Sequence, residues 1–334
     1  MALAAILGCA GTSLTEAERA FFRGADPLGF IIFARNIETP DQVRRLTADL
    51  RACVGRAEAP VLIDQEGGRV ARLRPPQWRA APPAARFGEL AARDRAAAAQ
   101  AVRINHELLA GELHALGVTV DCAPLVDLRF PGAHDVIGDR AYGSDPHLVA
   151  DLGRAAAEGL MAGGVMPVIK HIPGHGRSMV DSHHELPRVT AEVDDLIDAD
   201  FVPFRKLNDI PWAMTAHIVY EAIDPTAPAT LSAKVVAEVI RGEIGFRGLL
   251  LSDDLSMKAL AGTLEQLAAG SLAAGCDVVL HCNGNMEEML RVVQGSSALS
   301  PAAQYRYEQG QSRLNRHPDF DMADLAAELS DLLA

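Results

Sequence analysis

The chain has 334 residues, 49% hydrophobic and 22% charged, with a formal charge of −13. That is globular composition with enough length for a large core. An acidic chain with no Lys/Arg run offers nucleic acid no basic face, and no stretch is long and apolar enough to span a bilayer, so neither partner is expected.

The chain opens on Met-Ala-Leu-Ala-Ala-Ile-Leu-Gly-Cys9. This resembles a lipoprotein signal with Cys9 as the modified residue. However, no positive charge precedes the run, the run is very short, and strand chemistry explains it equally well. Residues 4–9 are therefore expected to be the first of eight short apolar runs, followed by 29–33, 60–63, 118–121, 166–169, 212–215, 248–252 and 277–280. Each is nearly all apolar rather than alternating, as in strands of a parallel sheet buried on both faces.

The segments between them read as helices. Thr39-Pro40-Asp41-Gln42 is a capping box with proline at the first helical position, and Val43, Leu46, Leu50 and Cys53 follow at helical spacing. Residues 90–116 form a long helix or a helix pair stopped by Gly117. Further helices are expected at 233–240 and 264–274. Strand and helix alternating about eight times predict an α/β fold, a single (β/α)8 TIM-type barrel. An open doubly wound sheet is the alternative, but no GxGxxG follows the first strand. Residues 301–316 read as a polar helix. In 321–334, Leu325, Leu329 and Leu332 share one helical face, so a C-terminal extension of about 301–334 is expected to dock on the barrel. No linker divides the chain, and 1–334 reads as one catalytic domain.

Five cysteines, Cys9, Cys53, Cys122, Cys276 and Cys282, form an odd set without a CxxC pair. Buried reduced thiols in a cytoplasmic protein are the expectation.

In such a barrel the active site lies at the carboxyl ends of the strands. Polar residues gather there: Asp64-Gln65-Glu66-Gly67-Gly68-Arg69 after the third run, Asp121 and Asp127 after the fourth, and Lys170-His171-Ile172-Pro173-Gly174-His175-Gly176 after the fifth. His217, Ser252-Asp253-Asp254 and His281 follow the last three. Adjacent carboxylates on a strand point to opposite sides. Asp253 is accordingly expected to face the axis, with Asp254 or Ser256 capping a following helix. The histidines between 171 and 184 raise the question of zinc. His171 and His175 are split by Pro173-Gly174 and cannot share a helix face as an HExxH pair does, and no HxH follows the first run, so no metal is expected.

At these residues the sequence resembles glycoside hydrolase family 3, closest to its short, single-domain bacterial branch, the β-N-acetylglucosaminidases of cell-wall recycling. The resemblance rests on Lys170-His171-x-Pro173-Gly174-His175-Gly176 with Asp181-Ser182-His183, on Ser252-Asp253-Asp254-Leu255-x-Met257, and on Asp64-Gln65-Glu66-Gly67-Gly68-Arg69-Val70-x-Arg72-Leu73. Phe33-x-Arg35-Asn36, Ile137-Gly138-Asp139-Arg140 and Pro228-Ala229-Thr230-Leu231-Ser232 are weaker matches, so it spans roughly residues 5–285. The resemblance implies Asp253 as nucleophile, His183 as acid/base and Asp181 as its dyad partner. It also implies that Asp64, Arg72, Arg140, Lys170 and His171 grip the sugar. Larger members of the family lack the histidine dyad and use a glutamate from a second domain.

The implied activity is retaining exo-hydrolysis of terminal β-linked GlcNAc from small carbohydrate or muropeptide substrates, GlcNAc-anhydroMurNAc among them, by a monomer without a cofactor. A carboxylate with an ordinary pKa of about 3.9 stays ionised at neutral pH, and Lys170, Arg72 and Arg140 are expected to keep Asp253 so. An imidazole near its ordinary pKa of about 6.5 can protonate the leaving oxygen and later deprotonate water. With Gly174, Gly176 and few apolar anchors, residues 174–181 are expected to be a mobile loop that carries His183 over the sugar. The alternatives are a β-glycosidase of other specificity, an N-acetylglucosaminide phosphorylase, and a non-catalytic sugar-binding barrel.

Overall fold

All eight apolar runs are strands. The computed structural model describes residues 1–180, 185–315 and 320–334. The strands are β1 (Leu3–Gly8), β2 (Pro27–Ile31), β3 (Val61–Ile63), β4 (Val120–Asp121), β5 (Met166–Ile172), β6 (Trp212–Thr215), β7 (Leu249–Asp254) and β8 (Val278–His281). Each pairs in parallel with its chain neighbours, and β8 closes on β1, with Leu7 opposite His281. The lipoprotein-like run is therefore the first barrel strand.

Alternation within the strands makes two separate cores. Ile6, Leu62, Val120, Val168, Met214, Leu251 and Leu280 fill the barrel. Their neighbours Leu7, Ile63, Ile169, Ala213, Leu250 and Val279 face the helices. With both sides buried, strand positions ahead of the carboxyl ends are apolar on either face, because each such side chain contributes roughly 1.5–3 kcal/mol wherever it points. Trp212 enters the interior, and its ring lies 5.9 Å from Tyr307 of the C-terminal segment. Leu299 and Ala303 join the interior cluster, so this segment plugs the amino-terminal end of the barrel.

Pro40–Val54 is helical, with Thr39 accepting from the Gln42 amide, but Gln42 Oε1 takes the Glu38 amide, so the expected reciprocal box is not formed. Residues 90–116 hold the end of one helix, Ala84–Ala91, and the whole of a second, Arg95–His114. The helix expected at 233–240 is observed at Val235–Glu243 with π-type bonding. Leu264–Ala274 is as expected, and the polar helix ends early, at Gln311. Met322–Leu333 docks on Arg95–His114 through Leu325, Leu329 and Leu332. All five cysteines are free and buried.

Candidate active site

The parity that builds the cores also aims the polar residues at the strand ends. Leu62 points into the barrel, so Asp64 and Glu66, two and four positions on, open on the same side. Val168 sets Lys170 inward, and Leu249 and Leu251 set Asp253 inward. These groups share one cavity of about 280 Å³ with Arg72, Arg140, His171, His175 and Asp254. Asp64, Arg72, Arg140, Lys170, His171 and Asp253, all singled out in the sequence, are thus brought together. Asp181 and His183 lie outside the described residues.

The loop after β3 is folded by its own sequence. Gly67 and Gly68 adopt φ of 99° and 56°, which a residue with a Cβ rarely does, and a Cβ on Gly67 would lie 2.4 Å from the Pro82 carbonyl oxygen. The chain turns back here, and the buried Gln65 side chain ties the return. Its Oε1 accepts from the amides of Arg72 (2.8 Å) and Leu73 (3.0 Å), and its Nε2 donates to the Leu73 carbonyl (3.0 Å). Arg72 is thereby carried back to Asp64, 2.9 Å away, and its guanidinium lies 5.1 Å from the Phe33 ring centre. Arg140 arrives from the 3₁₀ turn Gly138–Arg140.

Each cation of the pocket is paired with a carboxylate, Asp64 and Glu66 sharing three cations between them. Lys170 Nζ donates to Asp64 (3.0 Å) and Glu66 (2.7 Å), and Arg140 forms a two-pronged pair with Glu66 at 2.7 and 2.9 Å. In the sequence Glu66 stands out only as part of its motif. Its position two residues after Asp64, on the same side of an extended chain, was the available signal. Burial works against the anions of Asp64 and Glu66, but Lys170 with Arg72, and Arg140 with Lys170, outweigh it and hold both carboxyls below the ordinary range.

Asp253 is also held below the ordinary range. Burial opposes this, but His217, His171, the Asp254 amide and Lys170 prevail. Of Lys170, Arg72 and Arg140, the cations expected to do this, Lys170 contributes. The two arginines are instead paired with Asp64 and Glu66. The amide of Asp254 donates to Asp253 Oδ1 at 2.8 Å. Asp254 itself takes the amides of Ser256 (3.1 Å) and Cys282 (3.2 Å) and the Ser256 hydroxyl (2.7 Å). Neither residue caps a helix, contrary to the sequence reading. The next helix begins at Leu264 under a Thr263 cap, and Asp254 pins the turn to the end of β8.

His171 is oriented by Asp127, which is fully buried. Asp127 accepts from His171 Nδ1 (2.7 Å) and from the backbone amides of His171 (3.2 Å) and His175 (2.6 Å). A carboxylate only accepts, so Nδ1 carries the proton and Nε2 is the nitrogen left for the pocket. Beside it, His175 is pushed down to about 4 by burial and by His171. His217 donates from Nε2 to the Asp254 carbonyl (3.0 Å), and burial pushes its pKa down. Asp121, Asp127, His217 and His281 do not line the pocket: Asp127 and His217 are buried, Asp121 alternates with inward Val120 and Cys122, and His281 alternates with inward Leu280 and Cys282.

The connection after β5 has polar rather than apolar anchors. Tyr220 donates to the Gly174 carbonyl (2.5 Å), Arg177 pairs with Asp200 (2.7 Å) and covers the Phe130 ring (4.3 Å), and the His134 amide donates to the Ser178 carbonyl (2.9 Å).

Residues 16–316 match the family model of the glycosyl hydrolase family 3 N-terminal domain, and the chain belongs to that family. A β-hexosaminidase of Alkalilimnicola ehrlichii is 43% identical over 285 residues, 83% of this chain and 80% of the relative. One from Bordetella avium is 41% identical over 280 residues, 82% and 79% of the two chains. The crystal structure of NagZ from Neisseria gonorrhoeae in complex with N-trifluoroacetyl-D-glucosamine superposes with a TM-score of 0.90 at 31% identity, covering 100% of this chain and 98% of that one. This chain is a glycoside hydrolase of the β-N-acetylhexosaminidase type. Among the described residues, no helix is long and apolar enough to cross a membrane.

Proposed function

We propose that this enzyme is a retaining exo-β-N-acetylglucosaminidase that removes terminal β-linked GlcNAc through a covalent glycosyl-Asp253 intermediate. The observation that carries this reading is the Asp253 carboxylate, half-buried, held in its charged form and open to the same cavity as the paired Asp64, Arg72, Lys170, Glu66 and Arg140. Such a carboxylate can attack C1 of a sugar whose hydroxyls are held by the surrounding polar groups. In this reading Asp64, Arg72, Arg140, Lys170 and His171 grip the sugar, with His171 presenting Nε2. His183 protonates the departing oxygen and then takes the proton of the incoming water, and Asp181 steadies its ring. A group in that role typically contributes about 10²- to 10⁴-fold.

The N-acyl amino sugar held by the Neisseria NagZ structure supports an N-acetylated sugar in this pocket. The family resemblance alone implies GlcNAc-anhydroMurNAc muropeptides as substrates and a role in cell-wall recycling in the cytoplasm. Residues 1–334 act as one catalytic unit, and the enzyme works as a monomer. The test is trapping with a fluorinated aminosugar, followed by mass spectrometry of the digested protein. A sugar adduct on the peptide containing Asp253 is expected. An adduct elsewhere, or phosphate-dependent release of a sugar 1-phosphate, would replace this reading.

A further inference from the structure

We propose that Glu66 is a positioning and selectivity residue of the sugar pocket: it sets the places of Arg140 and Lys170 and offsets one of their charges, so that the pocket, with Asp64 and Asp253, admits neutral sugars and turns anions away. The proposal rests on the reading of the pocket given above.

Five side chains form a row of alternating charge, Arg72, Asp64, Lys170, Glu66 and Arg140, with successive separations of 2.9, 3.0, 2.7 and 2.7 Å. The row joins the returning loop after β3, the end of β5 and the turn that carries Arg140. Glu66 differs from Asp64 in what its loss would leave behind. Without Asp64, Lys170 would still have Glu66, and the guanidinium of Arg72 would remain about one-quarter exposed to water. Without Glu66, Arg140 would keep the Val136 carbonyl at 3.0 Å and no carboxylate, with only 12% of its side chain exposed. A buried cation stripped of its partner is strongly unfavourable and recruits a counter-ion. In the intact pocket three cations face two carboxylates of the row and the negative Asp253 beside it, so an incoming anion meets no net positive charge. Burial disfavours the Glu66 anion, but Arg140 and Lys170 hold its carboxyl far below the ordinary range, so the row stays charged throughout the neutral range.

The test uses the full chain, Glu66→Gln (same shape, no charge) and Glu66→Asp (charged, one methylene shorter). Inorganic phosphate is titrated by calorimetry and, separately, as an inhibitor of aryl β-N-acetylglucosaminide hydrolysis. Glu66→Gln is expected to raise KM more than it lowers kcat, with a loss in kcat/KM of roughly 10- to 100-fold, the size of one charge-assisted hydrogen bond. It is also expected to bind phosphate at least about 10-fold more tightly than the parent, competitively with substrate, as one unmatched charge predicts. Glu66→Asp reaches one cation less well and is expected to show a smaller phosphate sensitivity with a raised KM. It carries the test alone if Glu66→Gln does not fold. Parental KM and phosphate affinity in the folded variants would overturn the proposal, as would a loss confined to kcat without any gain in anion binding. Calorimetric phosphate binding does not need turnover, so a failure here is distinct from a failure of the proposed reaction, which parental activity on the aryl glycoside tests.

Discussion

Asp121 is a buried carboxyl held at a cost that depends on pH. It ends β4 with its Oδ1 taking the Gln65 amide at 2.9 Å, while its Oδ2 finds no hydrogen-bond partner among the described residues. Burial pushes its pKa from 3.8 up to about 7, against the Gln65 amide and Lys170, which pull the other way. A carboxyl with a raised folded-state pKa takes up a proton on folding. Its contribution to stability is fully present below about pH 4 and is lost as the pH rises through about 7. Three pH units at about 1.4 kcal/mol each amount to a swing of up to about 4 kcal/mol. Asp121→Asn keeps the acceptor for Gln65 and has no charge to bury, but its unpaired NH₂ costs a pH-independent amount of about 1–3 kcal/mol. The variant is therefore expected to be the less stable form near pH 4 and to gain on the parent by up to about 4 kcal/mol by pH 8–9. Urea unfolding of both proteins across that range measures the difference directly. Carboxylates with depressed pKa values, such as Glu66 and Asp127, act in the opposite sense in both proteins and cancel in the comparison. A stability difference that stays constant within about 1 kcal/mol, or grows in favour of the parent as the pH rises, would refute the reasoning.

Asp253→Ala is expected to abolish turnover while the unfolding midpoint stays near the parental value; measurable steady-state hydrolysis would remove Asp253 from the nucleophile role. His183→Ala is expected to slow aryl glycosides with good leaving groups less than natural disaccharides, and equal losses on both would speak against proton donation to the leaving oxygen. Arg177→Ala strands the buried Asp200 without its cation and is expected to cost about 3 kcal/mol. Adding Asp200→Asn is expected to recover part of that loss in urea unfolding, and an additive second loss would show that the pair is not coupled.

The strand ends show how far the sequence could be read. Apolar runs of four to six residues located every strand, because a strand buried on two sides needs no alternation to be recognised. Parity within Ser252-Asp253-Asp254 marks Asp253 as inward, since the two-residue period of an extended chain is local, although Asp254 reaches the rim of the same cavity. The same parity applied to β3 would have placed Glu66 beside Asp64, and applied to β4 and β8 it would have turned Asp121 and His281 away from the pocket. The capping expected of Asp254 failed because an aspartate after a strand can satisfy amides of a turn and of the next strand as readily as those of a helix.

Local spacing thus determined the barrel, its strand order and the residues near its mouth, because hydrophobic periodicity and turn chemistry act over a few neighbours. Which cation meets which carboxylate was settled only when loops from β3, β4 and β5 closed over one cavity. Arg140 lies 74 positions from Glu66 and Lys170 lies 106 from Asp64. No short-range pattern encodes such pairings; they follow from the register of a closed sheet and from the need of each buried charge to find its opposite.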